Sequence, residues 1–207
     1  MDKTFDTPPI FVPGLLPLED CEDFQEVLDQ YTVADMNMGD PVTDTAVNYT
    51  TTMPGKDHMH TYLYGEPLGQ QIQKEIQPDI ERLVGRSLMR SYVSSRKYFK
   101  GNELYRHTDR DSCEVSVSIC LGGSGDWPIH MAFPKGKSPR DTFSFTCKRG
   151  DGIIYPGVVI DHWRNTLEHD NYYVLLVHYV NANGPFVDSG DRQSDLKHLK
   201  GHTSEIR

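Results

Sequence analysis

Apolar positions recur at helical spacing in two stretches of the first ninety residues and at strand spacing through most of the remainder. Between Leu18 and Tyr31, the residues Phe24, Val27, Leu28 and Tyr31 fall at i, i+3, i+4 and i+7, with acidic side chains clustered in the first turn. This is the stripe of an amphipathic helix whose positive N-terminal end faces carboxylates. Leu68, Ile72, Ile76, Ile80, Leu83 and Val84 repeat the period, and Pro78 inside the pattern predicts a kink or a break. Residues 35–66, rich in Thr, Met, Gly, Pro and Asp, keep no period and predict loops and short strands. This segment also carries Met36, Met38, Tyr49, Met53, Tyr62 and Tyr64, too many large apolar groups for simple disorder, and is expected to act as a lid.

From Leu88 the period changes to two. In Val115-Ser116-Val117-Ser118-Ile119-Cys120-Leu121 the odd positions are apolar and the even ones small, so one face packs while the other meets a cavity or solvent. Further strands are predicted over 92–99, 129–133, 142–147, 152–155, 163–167 and 173–180, separated by Gly, Pro and Asp turns. Many short strands behind two helices predict an α+β protein whose β part is a sandwich or jelly roll, the arrangement in which antiparallel sheets cover each other. One domain over 1–182 is expected, helical to about 88 and β from 89, followed by a polar extension over 183–207.

Composition narrows the class of protein. Apolar residues at 37% and charged residues at 25% suit a globular chain with a real core, and a net charge of -9 makes nucleic acid or an anionic membrane an unlikely partner. Cys21, Cys113, Cys120 and Cys147 show no C-x-x-C spacing, which points to reduced thiols. Acidic residues near Met1 in place of a signal peptide, and the lack of any long apolar run, lead to the expectation of a cytoplasmic protein without a membrane span.

The candidate chemistry begins at His107-Thr108-Asp109, an imidazole and a carboxylate two residues apart and able to reach one ion from the same side of an extended strand. Alone the spacing is weak, since about one H-x-D match is expected by chance in a chain with nine histidines. His58-Met59-His60 is a second possible chelating pair, although without a carboxylate in pattern. The surroundings of His107 are more specific. Tyr98-Phe99-Lys100-Gly101-Asn102-Glu103-Leu104-Tyr105-Arg106 leads into it, and Gly150-Asp151-Gly152-Ile153-Ile154-Tyr155-Pro156-Gly157 and Asp161-His162-Trp163-Arg164 follow.

This ordered set resembles the Fe(II)- and 2-oxoglutarate-dependent oxygenases, in particular their prolyl-4-hydroxylase-like branch, over about 11–181. The resemblance implies a double-stranded β-helix (jelly roll) core with N-terminal helices packed against it. It also implies an iron site of His107, Asp109 and His162, chosen over His169 and His178 because His162 follows the Gly150-Asp151 strand as the family's distal histidine does. Two imidazoles and one carboxylate on one face of an octahedral ion leave three positions open, for a bidentate keto acid and dioxygen. The implied reaction is hydroxylation of an unactivated carbon in a small molecule or a peptide side chain, with 2-oxoglutarate converted to succinate and CO2.

The chain departs from the family at the 2-oxoglutarate carboxylate. The family places Lys or Arg about ten residues after the distal histidine, where this sequence reads Asn171-Tyr172-Tyr173. Arg164, two residues past His162 and so on the same side of a strand, is the expected anchor, with Tyr98 and Tyr172 as further cosubstrate contacts. Pairing of Arg164 with Glu168 at the surface is the competing expectation. Two other functions stay open: a cupin-like metal enzyme that does not use 2-oxoglutarate, and a non-enzymatic metal-binding sensor. Trp127 and Trp163 are read as packing, and Lys135, Lys137 and Arg140 as a solvated basic turn.

Overall fold

Both helical stripes fold as helices in the computed structural model, which describes residues 4–30, 47–48, 61–133 and 142–189. Helix α1 (Leu18–Gln30) buries Cys21, Phe24 and Leu28, and α2 (Pro67–Val84) buries Ile72, Ile76 and Ile80. Glu66 caps α2 by accepting from the Leu68 and Gly69 N–H groups at 3.0 and 2.8 Å, and Pro67 sits where a helix needs no donor. The break expected at Pro78 does not occur. Pro78 lies on the exposed side, and three buried isoleucines at about 2 kcal/mol each offset a proline penalty of about 3 kcal/mol.

The strands are β1 (Ile10–Val12), β2 (Val47–Asn48), β3 (Thr61–Tyr64), β4 (Leu88–Phe99), β5 (Leu104–His107) and β6 (Val115–Gly123), then β7 (Ile129–Ala132), β8 (Thr142–Phe145), β9 (Gly152–Tyr155), β10 (Asp161–Arg164) and β11 (Asn171–Asn181). They form a large sheet in the order β1-β9-β6-β11-β4-β3-β2 and a small one in the order β5-β10-β7-β8, with antiparallel pairing. From β4 onward the chain crosses repeatedly between the sheets, which makes the β core a double-stranded β-helix.

The period-two pattern decides which side chains go where. On β11, Tyr173, Leu175, Val177 and Tyr179 join the helix residues in one apolar cluster, while Tyr172 and Val174 join Tyr98, Trp127, Ile129, Met131 and Tyr155 in a second cluster between the sheets. On β6 the odd positions Val115, Val117, Ile119 and Leu121 face the helices, and Ser118 reaches a cleft between the sheets. The helices thus cover the back of the large sheet, and its other face looks onto the cleft between the two sheets.

Three local readings change. β1, unread in the sequence because three residues carry no period, pairs with β9 as an edge strand. β10 runs over Asp161–Arg164 and not 163–167, because Leu167 leaves the sheet to clasp the β4–β5 turn, donating to the Asn102 carbonyl at 2.7 Å and accepting from Gly101 N–H at 2.8 Å. Gly101 has φ 89°, a conformation that favours glycine, which is why the turn tolerates this close clasp. Of segment 35–66, β2 and β3 extend the edge of the large sheet and Glu66 caps α2; residues 35–46 and 49–60 of the expected lid lie outside the described residues, as do His58, His60, Lys135, Lys137 and Arg140. Residues 183–189 make turns after β11, and the remainder of the expected extension also falls outside. All four cysteines are buried free thiols. Among the described residues no helix is long and apolar enough to cross a membrane.

Candidate metal centre and cosubstrate cleft

His107 ends β5 and His162 lies in β10, and the register sets them directly opposite each other, with ring centroids 4.3 Å apart. Asp109 is not on the strand with His107, as its spacing suggested, but in the following turn. Its N–H donates to the Gly157 carbonyl at 2.8 Å, which swings its carboxylate back to the two rings. Oδ1 of Asp109 then stands 3.5 Å from Nε2 of His107 and 3.5 Å from Nε2 of His162.

The hydrogen bonds of the far ring nitrogens decide what faces this point. Nδ1 of His107 lies 2.7 Å from the Tyr105 carbonyl and Nδ1 of His162 lies 3.2 Å from the Ile160 carbonyl. A carbonyl only accepts, so each Nδ1 carries a hydrogen and Nε2 is the ring nitrogen turned toward Asp109, where it can serve as a ligand atom. Three such atoms converging on one point call for a positive charge between them, a metal ion or protons on the rings. Adjacent ligands of an octahedral ion with bonds of about 2.1 Å stand about 3 Å apart, close to the separation here, so the donor set fits a divalent metal. Without one, protons fill the role: the hydrogen bond with Asp109 raises the His107 pKa against burial. For Asp109 burial opposes ionisation, but the hydrogen bonds to His107 and His162 prevail and hold its carboxyl below the usual carboxylate range.

The three residues stand in a cleft lined also by Arg96, Tyr98, Ser118, Tyr155 and Arg164. Arg164 is 5% exposed, so its expected alternative as a surface partner of Glu168 fails. Its guanidinium lies 5.0 Å from the Trp127 ring and 4.9 Å from the Tyr172 ring and donates to the Trp127 carbonyl. Tyr172 therefore sits under a cation delivered from β10, at the sequence position where the family places its own basic residue. Tyr172 itself touches Arg164 and is not among the cleft-lining groups. Tyr98 lines the cleft, and its hydroxyl accepts from Arg96 Nη1 at 3.2 Å. Trp127 is a packing residue as read, and Trp163 lies against Arg106 and His130.

Arg96 escaped the sequence reading. The alternation Tyr92, Ser94, Arg96, Tyr98 on β4 was the available signal, since it places Arg96 on the same face as Tyr98. Asp151 of the Gly150-Asp151 pair is structural: its carboxylate accepts from the N–H groups of Gly14 and Lys148 at 3.0 and 2.8 Å. His169 is exposed in a bend, as expected. Asp109, Cys113 and His178 form a second group with ligand atoms close together, but the Ser116 hydroxyl already contacts Asp109 Oδ2 and His178 Nδ1 at 3.2 and 3.0 Å and satisfies both without an ion.

His178 is thus the hydrogen-bonded core histidine that the sequence suggested. Burial pushes its pKa down to about 4. Neutral in the fold but free to protonate near pH 6.5 when unfolded, it leaves the unfolded state with more protons in that window. Stability is full above the unfolded value and falls as pH drops toward 4, by about 3 kcal/mol. His107, shifted upward, contributes stability that is full below its ordinary pKa and is lost only as pH rises above it, so it does not produce the acid-side loss. Urea unfolding of the metal-free protein from pH 7 to 4.5 is expected to show this loss, and His178→Gln to flatten it; equal slopes in both proteins would refute the assignment.

No family model and no curated protein matches this chain. Solved structures do. An oxidoreductase of the 2OG-Fe(II) oxygenase family from Burkholderia pseudomallei is 12% identical at a TM-score of 0.61, covering 83% of this chain and 85% of its own. HygX from Streptomyces hygroscopicus, solved with nickel and 2-oxoglutarate bound, is 13% identical at 0.58, covering 86% and 84%. A prolyl-4-hydroxylase from Pseudomonas putida is 13% identical at 0.58, covering 84% and 92%. The chain has the double-stranded β-helix fold of the Fe(II)- and 2-oxoglutarate-dependent oxygenases, and it carries a possible His-Asp-His metal site at the place between the sheets where its strands converge.

Proposed function

We propose that the protein is an Fe(II)- and 2-oxoglutarate-dependent dioxygenase that hydroxylates an unactivated carbon. The observation that carries this reading is the convergence of His107 Nε2, His162 Nε2 and Asp109 Oδ1 in a cleft that also presents a buried arginine. His107, Asp109 and His162 hold the iron, which when bound supplies the oxidising chemistry at the expense of 2-oxoglutarate, released as succinate and CO2. Tyr105 and Ile160 keep the histidine tautomers fixed through their carbonyls. Arg164, clamped between Trp127 and Tyr172, offers a preoriented fork to the distal carboxylate of the keto acid, and Tyr98 adds a hydroxyl. Ile129, Tyr155 and Val174 wall the site with buried apolar surface that keeps water from it.

The substrate side of the reading favours a peptide side chain, prolyl among them, on the branch to which the Tyr98–Asp109 pattern is similar; the Pseudomonas putida neighbour has the same leaning. Incubation with Fe(II), ascorbate, 2-oxoglutarate and oxygen, with prolyl peptides and hydroxylatable small molecules as separate arms, tests it. Succinate formed in proportion to hydroxylated product supports the assignment. Absence of succinate in every arm, with iron bound, would overturn it in favour of a metal enzyme or sensor that does not use 2-oxoglutarate.

A further inference from the structure

We propose that Ser116, backed by His178, is a positioning residue that restricts Asp109 to one ligating oxygen and so keeps three places on the metal open. The inference rests on the reading that His107, Asp109 and His162 hold a divalent ion. The two oxygens of Asp109 have different neighbours. Oδ1 faces both histidine Nε2 atoms at 3.5 Å, whereas Oδ2 lies 3.2 Å from the Ser116 hydroxyl.

The Ser116 oxygen meets Asp109 Oδ2 at 3.2 Å, the Cys113 carbonyl at 3.2 Å and His178 Nδ1 at 3.0 Å, and it is also within hydrogen-bonding reach of the Tyr155 hydroxyl. Serine has one proton to give. A carbonyl and an ionised carboxylate only accept, so a hydrogen for the serine oxygen comes from His178 Nδ1–H or from the Tyr155 hydroxyl, and His178, opposite Ser116 across the strands at 3.0 Å, is the donor in the proposed arrangement. With Nδ1–H donating to Ser116, the serine proton is released for Asp109 and Cys113, and the charged acceptor takes the stronger share. If Nδ1 accepted instead, Oδ2 would lose its donor.

Backbone closes the remaining side. A Cβ at Gly157 would come within 2.4 Å of the Cys113 carbonyl, 2.5 Å of Ser116 Oγ and 2.7 Å of Asp109 Oδ2, so the chain there lies directly on the serine–carboxylate contact. The Gly157 carbonyl also fixes the Asp109 N–H at 2.8 Å. Ser116 is fully buried and His178 is 3% exposed, while the cross-strand register of β6 and β11 puts them opposite each other. The purpose of such a lock follows from coordination arithmetic. A carboxylate that swung to use both oxygens would occupy a fourth position of an octahedral ion, and a bidentate keto acid plus dioxygen needs three.

Cobalt(II), whose visible spectrum reports coordination number, provides the test without turnover. The parent protein, Ser116→Ala, Ser116→Thr, His178→Leu and His178→Gln are loaded with Co(II) and titrated with 2-oxoglutarate. Ser116→Ala and His178→Leu are expected to keep one Co(II) per chain, to change its spectrum, and to weaken 2-oxoglutarate by about 10–100-fold, the range of outer-shell changes at metal sites. Ser116→Thr, which keeps the hydroxyl, and His178→Gln, which keeps a donor, are expected to restore most of the parent behaviour. A parent-like spectrum and parent-like affinity in Ser116→Ala would overturn the lock, as would equal losses in His178→Leu and His178→Gln with both variants folded. Failure of the parent itself to bind Co(II) would overturn the ligand set and the proposal with it.

Discussion

Replacing His162, His107 or Asp109 with alanine is expected to abolish stoichiometric iron binding while the protein stays folded. None of the three is a member of the apolar clusters, although the His162 ring lies 5.0 Å from that of Tyr155, so their removal leaves most of the packing of both sheets in place. Each provides one of three converging donor atoms, and loss of a ligand should weaken the metal by more than the 10–100-fold that outer-shell changes cost. His178→Ala is the informative control, since His178 is equally buried and belongs to the neighbouring Asp109–Cys113–His178 group. It should retain one iron per chain in a chelator-competition assay. Equal loss in His178→Ala and His162→Ala would transfer the centre to the second group.

The second large effect is expected at Arg164. A charge-assisted bidentate contact in a partly desolvated site contributes about 2 to 5 kcal/mol, so Arg164→Ala should weaken 2-oxoglutarate by roughly 30- to several-thousand-fold without removing iron. Lysine should not substitute, because the guanidinium is held by stacking between Trp127 and Tyr172 as well as by charge. Tyr98→Phe should cost less, about 1 to 2 kcal/mol for one hydrogen bond to a charged group. Calorimetric titration of the metal-loaded variants measures all three. If Arg164→Ala binds as the parent does, the anchor is Arg96, the other guanidinium in the cleft.

Much of this arrangement was legible in the chain because period and burial coincide. The alternation in Val115–Leu121 told correctly that one face packs and the other meets a cavity, and the two-residue step from His162 to Arg164 placed both side chains inward. Where local pattern and tertiary contact compete, the sequence misled. Pro78 signals a break, but flanking isoleucines hold the helix to the sheet. Leu167 reads as the end of a strand begun at Trp163, yet its backbone is recruited by Asn102 and Gly101 across the fold. Spacing put Asp109 on a strand beside His107, and a long-range bond to Gly157 bends it into a turn. The Ser116–His178 contact spans 62 residues, and no local signal announces a pairing of that range.

The central claim, that one site holds both iron and 2-oxoglutarate, is tested most directly by anaerobic titration of the Fe(II)-loaded protein with 2-oxoglutarate, followed in the visible spectrum. A charge-transfer band that grows to saturation at one equivalent, and is absent in Asp109→Ala and much weakened in Arg164→Ala, is the result predicted here. Stoichiometric iron with no band at any 2-oxoglutarate concentration would contradict the account and leave a metal protein of different chemistry.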